Sequence, residues 1–141
     1  MPDLTNKITL VTGSTKGIGK AIAEAFVDKG SRVIVHGRNR AEIEKVKASI
    51  NAFGCVDGDL GTSEGCSGVI EQLGSLGQVE ILVNNAGIFG VEDLIEIDDE
   101  EWLRYFQVNI MSAVRLCRAL MPSMLENDYG RIINVSSEAA I

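Results

Sequence analysis

The sequence predicts a doubly wound α/β domain built around a parallel sheet. Short apolar runs alternate with stretches of helical periodicity, the pattern of β-α-β crossovers. Groups of Gly, Asn, Asp and charged residues follow the first four predicted strands, at residues 12–19, 36–39, 59–60 and 84–87. Ligands of such sheets bind at the carboxyl ends of the strands, so we expect these groups to form one site. No repeat or linker interrupts the pattern, and residues 1–141 are predicted to be a single domain.

The first predicted strand, residues 8–11, leads into a glycine-rich turn, Thr12-Gly13-Ser14-Thr15-Lys16-Gly17-Ile18-Gly19. Glycines between a strand and a helix let backbone N–H groups and the positive helix end approach a pyrophosphate without an intervening Cβ. The spacing is Gly-x-x-x-Gly-x-Gly, and Lys16 lacks the following Ser or Thr of a P-loop. We expect this turn to bind nucleotide phosphate. A tight helix–strand turn without any ligand is the alternative.

The other elements follow from periodicity and capping signals. A helix with one apolar face follows the turn and ends near Gly30, and a second strand spans residues 32–36. Asn39 and Glu42 form a predicted capping pair for the next helix. A short strand near residues 55–56 and a helix with apolar residues at 66, 69, 70 and 73 come next. A buried strand is predicted at residues 79–83.

A second capping pair, Asp98 and Glu101, introduces a long helical stretch. Its large apolar residues are expected near one side: Trp102, Phe106, Ile110, Val114, Cys117 and Met121. Pro122 is predicted to kink or restart this helix. Residues 131–135 are a fifth predicted strand, with Ser136 and Ser137 at its carboxyl end.

Composition narrows the function classes. The net charge is −7 and every lysine lies in the first third of the chain, which argues against nucleic acid as a partner. Three cysteines without a Cys-x-x-Cys pair favour a reduced, cytoplasmic protein. One histidine is too few for a zinc cluster or a Ser-His-Asp triad, so we expect no metal site. No stretch has the apolar length of a membrane span.

Five motifs, in this order along the chain, resemble those of the short-chain dehydrogenase/reductase family. They are the glycine-rich turn, Asp59-Leu60, Asn84-Asn85-Ala86-Gly87, Asn109 and Gly130-Arg131-Ile132-Ile133-Asn134-Val135-Ser136-Ser137. The resemblance implies a Rossmann fold with five strands present and an enzyme that transfers a hydride between a nicotinamide cofactor and a small-molecule carbonyl or alcohol. It also implies a homodimer or homotetramer, through the apolar helix of residues 102–121. Packing of that helix on the sheet is the alternative.

The resemblance assigns cofactor contacts residue by residue. The pyrophosphate and adenosine ribose would be enclosed by Gly13, Ser14, Thr15, Lys16, Gly17, Ile18 and Gly19. Asp59 and Leu60 would contact the adenine, although Asp59 is also a candidate helix cap in competition with Thr62. The cofactor would be lined by Asn85, Ala86 and Gly87, which as an Asn-rich turn are also compatible with a purely structural role.

The end of the second strand favours NADP(H). A dinucleotide fold that prefers NAD places a carboxylate there for the ribose 2′-hydroxyl, whereas NADP needs a cation. Gly37 stands where the NAD-type Asp of the family would be, and Arg38 follows it. Lys16 adds a second cation, and both match the charge of a 2′-phosphate. The alternative is that both side chains are solvated surface residues.

The resemblance also implies catalytic roles for Ser137 and Asn109. Ser137 would hydrogen-bond the substrate oxygen, and Asn109 would hold a water of the proton relay. The structural alternatives are a hydroxyl that ends a strand and an amide that bonds a nearby carbonyl.

The catalytic tyrosine of the family, with a lysine four residues after it, has no match. Tyr105 and Tyr129 are followed at that distance by Asn109 and Ile133. We expect the pair beyond Ile141, in a longer parent enzyme of which this chain is an N-terminal fragment, inactive by itself. Two other functions stay open: a dinucleotide-binding module or sensor without turnover, and a nucleotide-binding transferase such as a methyltransferase.

Overall fold

A computed structural model describes residues 3–137, and its centre is a five-stranded parallel sheet. The strands are β1 (Ile8–Val11), β2 (Arg32–Gly37), β3 (Gly54–Asp57), β4 (Ile81–Asn84) and β5 (Arg131–Asn134). The helices are α1 (Gly17–Asp28), α2 (Arg40–Ile50), α3 (Ser63–Gly74), α4 (Asp99–Phe106) and α5 (Ser112–Glu126), with a π-helical segment, Gln107–Met111, between the last two. The predicted doubly wound α/β fold is confirmed.

The strand order β3-β2-β1-β4-β5 places the start of the chain in the middle of the sheet. From β1 the chain moves outward through β2 and β3, then returns to the other side of β1 for β4 and β5. Val11 pairs with Val35 of β2 and with Val83 of β4, so β1 is hydrogen-bonded along both edges. The connections leave β1 and β4 in opposite directions, which makes their carboxyl ends the switch point where such folds bind ligands.

The core consists of two layers, one on each face of the sheet. Alternate strand residues serve different layers, because successive side chains of a strand point to opposite faces. Leu10 and Leu82 pack with residues of α3 and α5, whereas Val11 and Val83 pack with residues of α1 and α2. Helices cover both faces of β1 to β4, which explains why these strands are apolar without polar alternation, whereas β5 is largely exposed.

The capping predictions are confirmed. Asn39 accepts a hydrogen bond from the Glu42 backbone N–H at the start of α2, and Asp98 accepts one from the Glu101 N–H at the start of α4. Gly30 follows the end of α1 with φ of +81°, a conformation that favours glycine.

The stretch after Asp98 differs from the prediction of one helix with one apolar side. Its second part continues through Pro122 as a single helix, so the predicted restart is wrong. The break lies earlier, in the π-helical segment, where the Ser112 N–H bonds to the Gln107 carbonyl five residues back. The extra residue rotates everything after it relative to α4. Large apolar side chains of this stretch are exposed both before and after the inserted residue: Trp102, Phe106, Ile110, Val114 and Met121.

The side of α5 that faces the sheet carries Leu116, Leu120 and Met124 instead. Within the described part of the chain, no helix has the length and apolar character needed to cross a membrane.

Two leucines of α5 test this packing. Leu120 is 8% exposed in the core, whereas Leu125 is 70% exposed on the same helix. We expect Leu120→Ala to lower the free energy of unfolding by about 2–5 kcal/mol, because it removes buried methyl groups and leaves a cavity. Leu125→Ala changes the same groups in water and should alter it by less than about 1 kcal/mol. Urea unfolding at fixed protein concentration measures both, and equal losses would contradict the assigned buried face.

Candidate functional site

The carboxyl ends of β1 and β4 are joined by the Thr12 side chain. Its hydroxyl donates to the Val83 carbonyl at 3.2 Å and accepts from the backbone N–H groups of Asn85 and Ala86, each at 2.9 Å. Thr12 is buried, so the hydroxyl replaces water for these groups. One side chain thereby fixes the first residues of the loop that leaves β4.

Asn85 completes this connection from the other side. Its side-chain amide donates to the carbonyls of Thr12 at 2.9 Å and Gly13 at 3.1 Å. Gly19, in the first turn of α1, lies against the same groups, and a Cβ there would overlap the Gly13 carbonyl and the Asn85 amide. A Cβ at Gly13, whose φ is +62°, would lie 3.0 Å from the Ala86 Cα. These glycines are required for close packing of the turn against β4.

Gly17 differs from Gly13 and Gly19. It has a φ of +55°, and a Cβ there would meet nothing within 4 Å. No side chain of residues 3–137 caps α1, which starts after Lys16, whereas Asn39, Thr62 and Asp98 cap α2, α3 and α4. The Ile18 side chain is 68% exposed. The amino end of α1 therefore presents N–H groups that no described side chain caps, together with a positive dipole end, at an open surface, which suits a phosphate.

The turn is also attached to β2. The Ser14 N–H donates to the His36 carbonyl at 2.9 Å, and the Ser14 hydroxyl accepts from the His36 N–H at 2.9 Å. The His36 ring accepts from the Gly13 N–H at 3.1 Å through Nδ1. The first two residues of the turn after Thr12 are thus held by β2, and the residues that start α1 remain open.

Two cations near this surface have no ion-pair partner among residues 3–137. Lys16 and Arg38 are exposed and belong to none of the ion pairs found within the described residues, although their neighbours Lys20 and Arg40 pair with carboxylates. Gly37, the last residue of β2, is buried, and a Cβ there would lie 2.6 Å from the Thr15 methyl carbon. A carboxylate side chain at position 37 does not fit without displacing Thr15.

Asp59 and Leu60 follow β3 at the same edge of the sheet. Leu60 is buried in the core, whereas Asp59 is exposed. Asp59 Oδ1 accepts from the Gly61 N–H at 2.9 Å, and the residue that caps α3 is Thr62, through the Gly65 N–H. Of the two caps that the sequence allowed, the structure has Thr62. The adenine contact of Asp59 and Leu60 stays a prediction.

Asn109 lies in the π-helical segment and holds the loop after β4. Its side chain accepts from the Ile88 N–H at 2.8 Å and donates to the Ile88 carbonyl at 2.9 Å. This is the backbone contact that the sequence left open as the structural alternative, and the relay role stays a prediction. Gly87 is adjacent, since a Cβ there would lie 3.3 Å from Asn109 Oδ1.

Ser137 is the last described residue and is exposed. It follows β5 by three positions, and the Val135 N–H still bonds to the Asn84 carbonyl of β4 at 2.9 Å. The structure therefore brings all the predicted segments to one edge of the sheet, in the order Asp59, Arg38, the glycine-rich turn, Asn85 and Ser137.

Sequence reasoning missed the roles of Thr12 and His36. The glycine-rich motif includes Thr12 without assigning it a role of its own, and the sequence predicts no contact for the single histidine, His36. For Thr12 a signal existed, namely a short polar side chain between a buried strand and the first glycine. The His36 contacts depend on β2 and β3 being neighbours, which no local pattern reveals.

Comparison with known proteins agrees with this geometry. A family model described as short chain dehydrogenase matches residues 7–141. An uncharacterized oxidoreductase of Bacillus subtilis, YvrD, is 43% identical over 98% of this chain and 54% of its own length. The 3-oxoacyl-(acyl-carrier-protein) reductase FabG of Haemophilus influenzae is 40% identical over 95% of this chain and 56% of its own length.

A solved structure of L-sorbose reductase from Gluconobacter frateurii, complexed with NADPH and L-sorbose, has a TM-score of 0.91. It is 35% identical, and the match covers 99% of this chain and 56% of that one. The chain thus spans about half the length of the relatives that it matches.

The Thr12 hydroxyl is testable by a matched pair of substitutions. Thr12→Val keeps the shape but leaves the Asn85 and Ala86 N–H groups without their acceptor, so we expect a loss of about 1–3 kcal/mol in the free energy of unfolding. Thr12→Ser keeps the hydroxyl and should lose about 1 kcal/mol or less for its missing methyl. Urea unfolding measures both, and a Ser variant as unstable as the Val variant would contradict the assigned role.

Proposed function

Given that the chain belongs to the short chain dehydrogenase family, whose model matches residues 7–141, we propose that it binds NADP(H) in an oxidoreductase. The reaction is hydride transfer between the nicotinamide and a small-molecule carbonyl or alcohol. The observation that carries this proposal is the open amino end of α1 at the switch point of the sheet, next to a turn that is fixed on both sides.

The pyrophosphate binds at the turn. Gly17 leaves space above the backbone, and the first N–H groups of α1 lack a side-chain cap within the described residues. Ser14 is buried and engaged with His36, so its role is to hold the turn. Thr15 borders Gly37, and the exposed Ile18 covers the outer side of the ligand.

The preference for NADP(H) over NAD(H) comes from charge and space. Arg38 and Lys16 bind the 2′-phosphate by charge-assisted hydrogen bonds, which are about twice as strong as neutral ones. Gly37 leaves no room for the carboxylate that would accept a bond from a free 2′-hydroxyl. Two solved relatives support the assignment, since the sorbose reductase contains NADPH and a 3-oxoacyl reductase of Agrobacterium tumefaciens contains NADP.

The rest of the cofactor follows the edge of the sheet. The adenine lies against Asp59 and Leu60 beyond β3, and the nicotinamide side passes Asn85, Ala86 and Gly87 beyond β4. This order matches the sheet, because the turn of β1 lies between the two.

The bound cofactor supplies the hydride, and the chain contributes polar groups near the reacting atoms. Ser137 donates a hydrogen bond to the substrate oxygen, where negative charge develops during reduction. Asn109 holds the loop after β4 through Ile88, and its Oδ1 retains a second lone pair for a water of the proton relay.

We infer the assembly from exposed apolar side chains and the location from the cysteines. The apolar residues on α4, α5 and the π-helical segment form the contact of a homodimer or homotetramer. All three cysteines are free, which agrees with a protein of the cytoplasm.

Isothermal titration of the intact protein with NADPH and NADH tests the charge argument. We expect NADPH to bind at least about tenfold more tightly, and Lys16→Ala or Arg38→Ala each to weaken NADPH by about tenfold with a smaller effect on NADH. Lys29→Ala is the control for Lys16, because it removes the same charge at the opposite end of α1. Tighter binding of NADH would contradict the NADP(H) assignment.

Turnover separates the two functions that use this site. Reduction of carbonyl compounds by NADPH, followed by the loss of NADPH absorbance, should occur with the intact protein and fall by about 100-fold in Ser137→Ala. Tight NADPH binding without turnover across a broad set of carbonyl compounds would instead support a dinucleotide-binding protein without catalysis.

A further inference from the structure

The His36 ring connects two of the segments that the proposed cofactor uses. It is 3% exposed near the end of β2. Nδ1 lies 3.1 Å from the Gly13 backbone nitrogen in the glycine-rich turn, and Nε2 lies 3.1 Å from the Gly58 carbonyl oxygen, directly before Asp59. The ring therefore spans from the phosphate-binding turn to the adenine-binding segment.

These two contacts determine where the proton of the ring lies. The Gly13 N–H is a donor, so Nδ1 must accept and carries no proton. The Gly58 carbonyl is an acceptor, so Nε2 must carry the proton. A doubly protonated ring would place an Nδ1–H against the Gly13 N–H, two donors face to face, and the turn would have to move away.

A movement of Gly13 would change the shape of the glycine-rich turn. Its N–H is held by His36, its carbonyl accepts from Asn85, and its φ of +62° sets the direction of the chain toward Gly17. Ser14 bonds only to the backbone of His36, so its bonds do not replace the contact between the Gly13 N–H and the His36 ring. Loss of the Nδ1 acceptor therefore leaves the Gly13 N–H without its partner and loosens the start of the turn, which Asn85 and Ser14 then hold.

On the basis of the dinucleotide-binding function proposed above, we propose that His36 is a positioning residue for the cofactor. Its neutral ring holds the glycine-rich turn in the phosphate-binding shape, and its protonation releases the turn and lowers the affinity for the dinucleotide.

The surroundings of the His36 ring determine the pH at which it is protonated. Burial lowers the pKa of His36 below the ordinary histidine value, and the Gly58 carbonyl, Asp57 and Asp59 oppose this only partly. Asp57 is itself bound by the Arg40 guanidinium at 2.8 Å. On the other side the ring contacts the Gly13 backbone, and Ser14 bonds to the His36 backbone. Neither Gly13 nor Ser14 carries a titratable side chain. The lowered pKa and the contacts to Gly13 and Gly58 both favour the neutral ring.

The lowered pKa of His36 makes the protein less stable, and its dinucleotide binding weaker, at acidic pH. Because the folded-state pKa is lowered, the contribution of His36 to the free energy of unfolding is complete above about pH 6.5, the unfolded value. It decreases as the pH falls below that value. Dinucleotide affinity should decrease up to about tenfold per pH unit below the pKa of His36 in the free protein.

Two amide substitutions separate the contacts of the ring. Asn places its amide oxygen near the Nδ1 position, so His36→Asn keeps an acceptor for Gly13. Gln reaches the Nε2 position, so His36→Gln keeps a donor for Gly58 but loses the Gly13 acceptor. Neither amide titrates. Any protonation of the 2′-phosphate of the ligand affects wild type and variants alike and cancels in their comparison.

The experiment measures the dissociation constant of NADP⁺, which tolerates acid, for the intact wild-type protein, His36→Asn and His36→Gln by isothermal titration. At about pH 7.5 we expect His36→Gln to bind about tenfold more weakly than wild type and His36→Asn within about threefold of it. One unit below the His36 pKa found by NMR titration, wild type should lose about tenfold relative to His36→Asn. Equal affinities of the three proteins, or a wild-type pH dependence identical to that of His36→Asn, would overturn the proposal.

A measurement without ligand separates this proposal from the function on which it rests. Nitrogen-15 NMR of the free protein, assigned by the signals that His36→Asn removes, should show a ring protonated at Nε2 with Nδ1 as an acceptor. If NADP⁺ fails to bind to wild type at any pH, the cofactor assignment fails. The tautomer still tests whether the His36 ring holds the glycine-rich turn. The other tautomer, or a ring that titrates as in a free peptide, contradicts the positioning role of His36 even where NADP⁺ binds.

Discussion

The site depends on a close contact between the carboxyl ends of β1 and β4, made by Thr12, Asn85 and Gly19. The Thr12 hydroxyl accepts two backbone N–H groups from the loop after β4, and the Asn85 amide returns two bonds to the turn after β1. Space for these bonds exists because Gly19 has no Cβ. Every other feature of the ligand surface is positioned relative to this contact, since it holds together the two strands between which the chain reverses its direction across the sheet.

From this contact the turn extends toward β2, where Ser14 and the His36 ring hold it by three further bonds. The turn is thus fixed at its first residues by both neighbouring strands and open at Gly17, where α1 begins. Such an arrangement suits a phosphate, because the donors are held in place before the ligand arrives and little ordering remains for binding. The same arrangement makes the shape of the turn depend on the protonation of the buried His36 ring.

Much of the fold could be predicted because its signals are local. Apolar runs, the Asn39 and Asp98 caps and Gly30 each act within a few residues, and their predictions hold. The π-helical segment was not predicted, because a single inserted residue leaves the apolar spacing of Phe106 and Ile110 almost unchanged while rotating the helix beyond them.

The contacts of Thr12 and His36 were missed for another reason. They join residues 71 to 74 and 22 to 23 positions apart, and only the strand order brings these together.

The central claim is that the turn between β1 and α1 is the phosphate-binding part of a dinucleotide site. Its most direct test is a titration of the nitrogen-15-labelled intact protein with NADPH, followed by backbone amide NMR. The account predicts saturable shifts of the amides of residues 13–19, with smaller shifts near residues 59–60 and 86–87, all with one dissociation constant. Shifts that spare residues 17–19 and concentrate elsewhere, or that do not saturate, would contradict it.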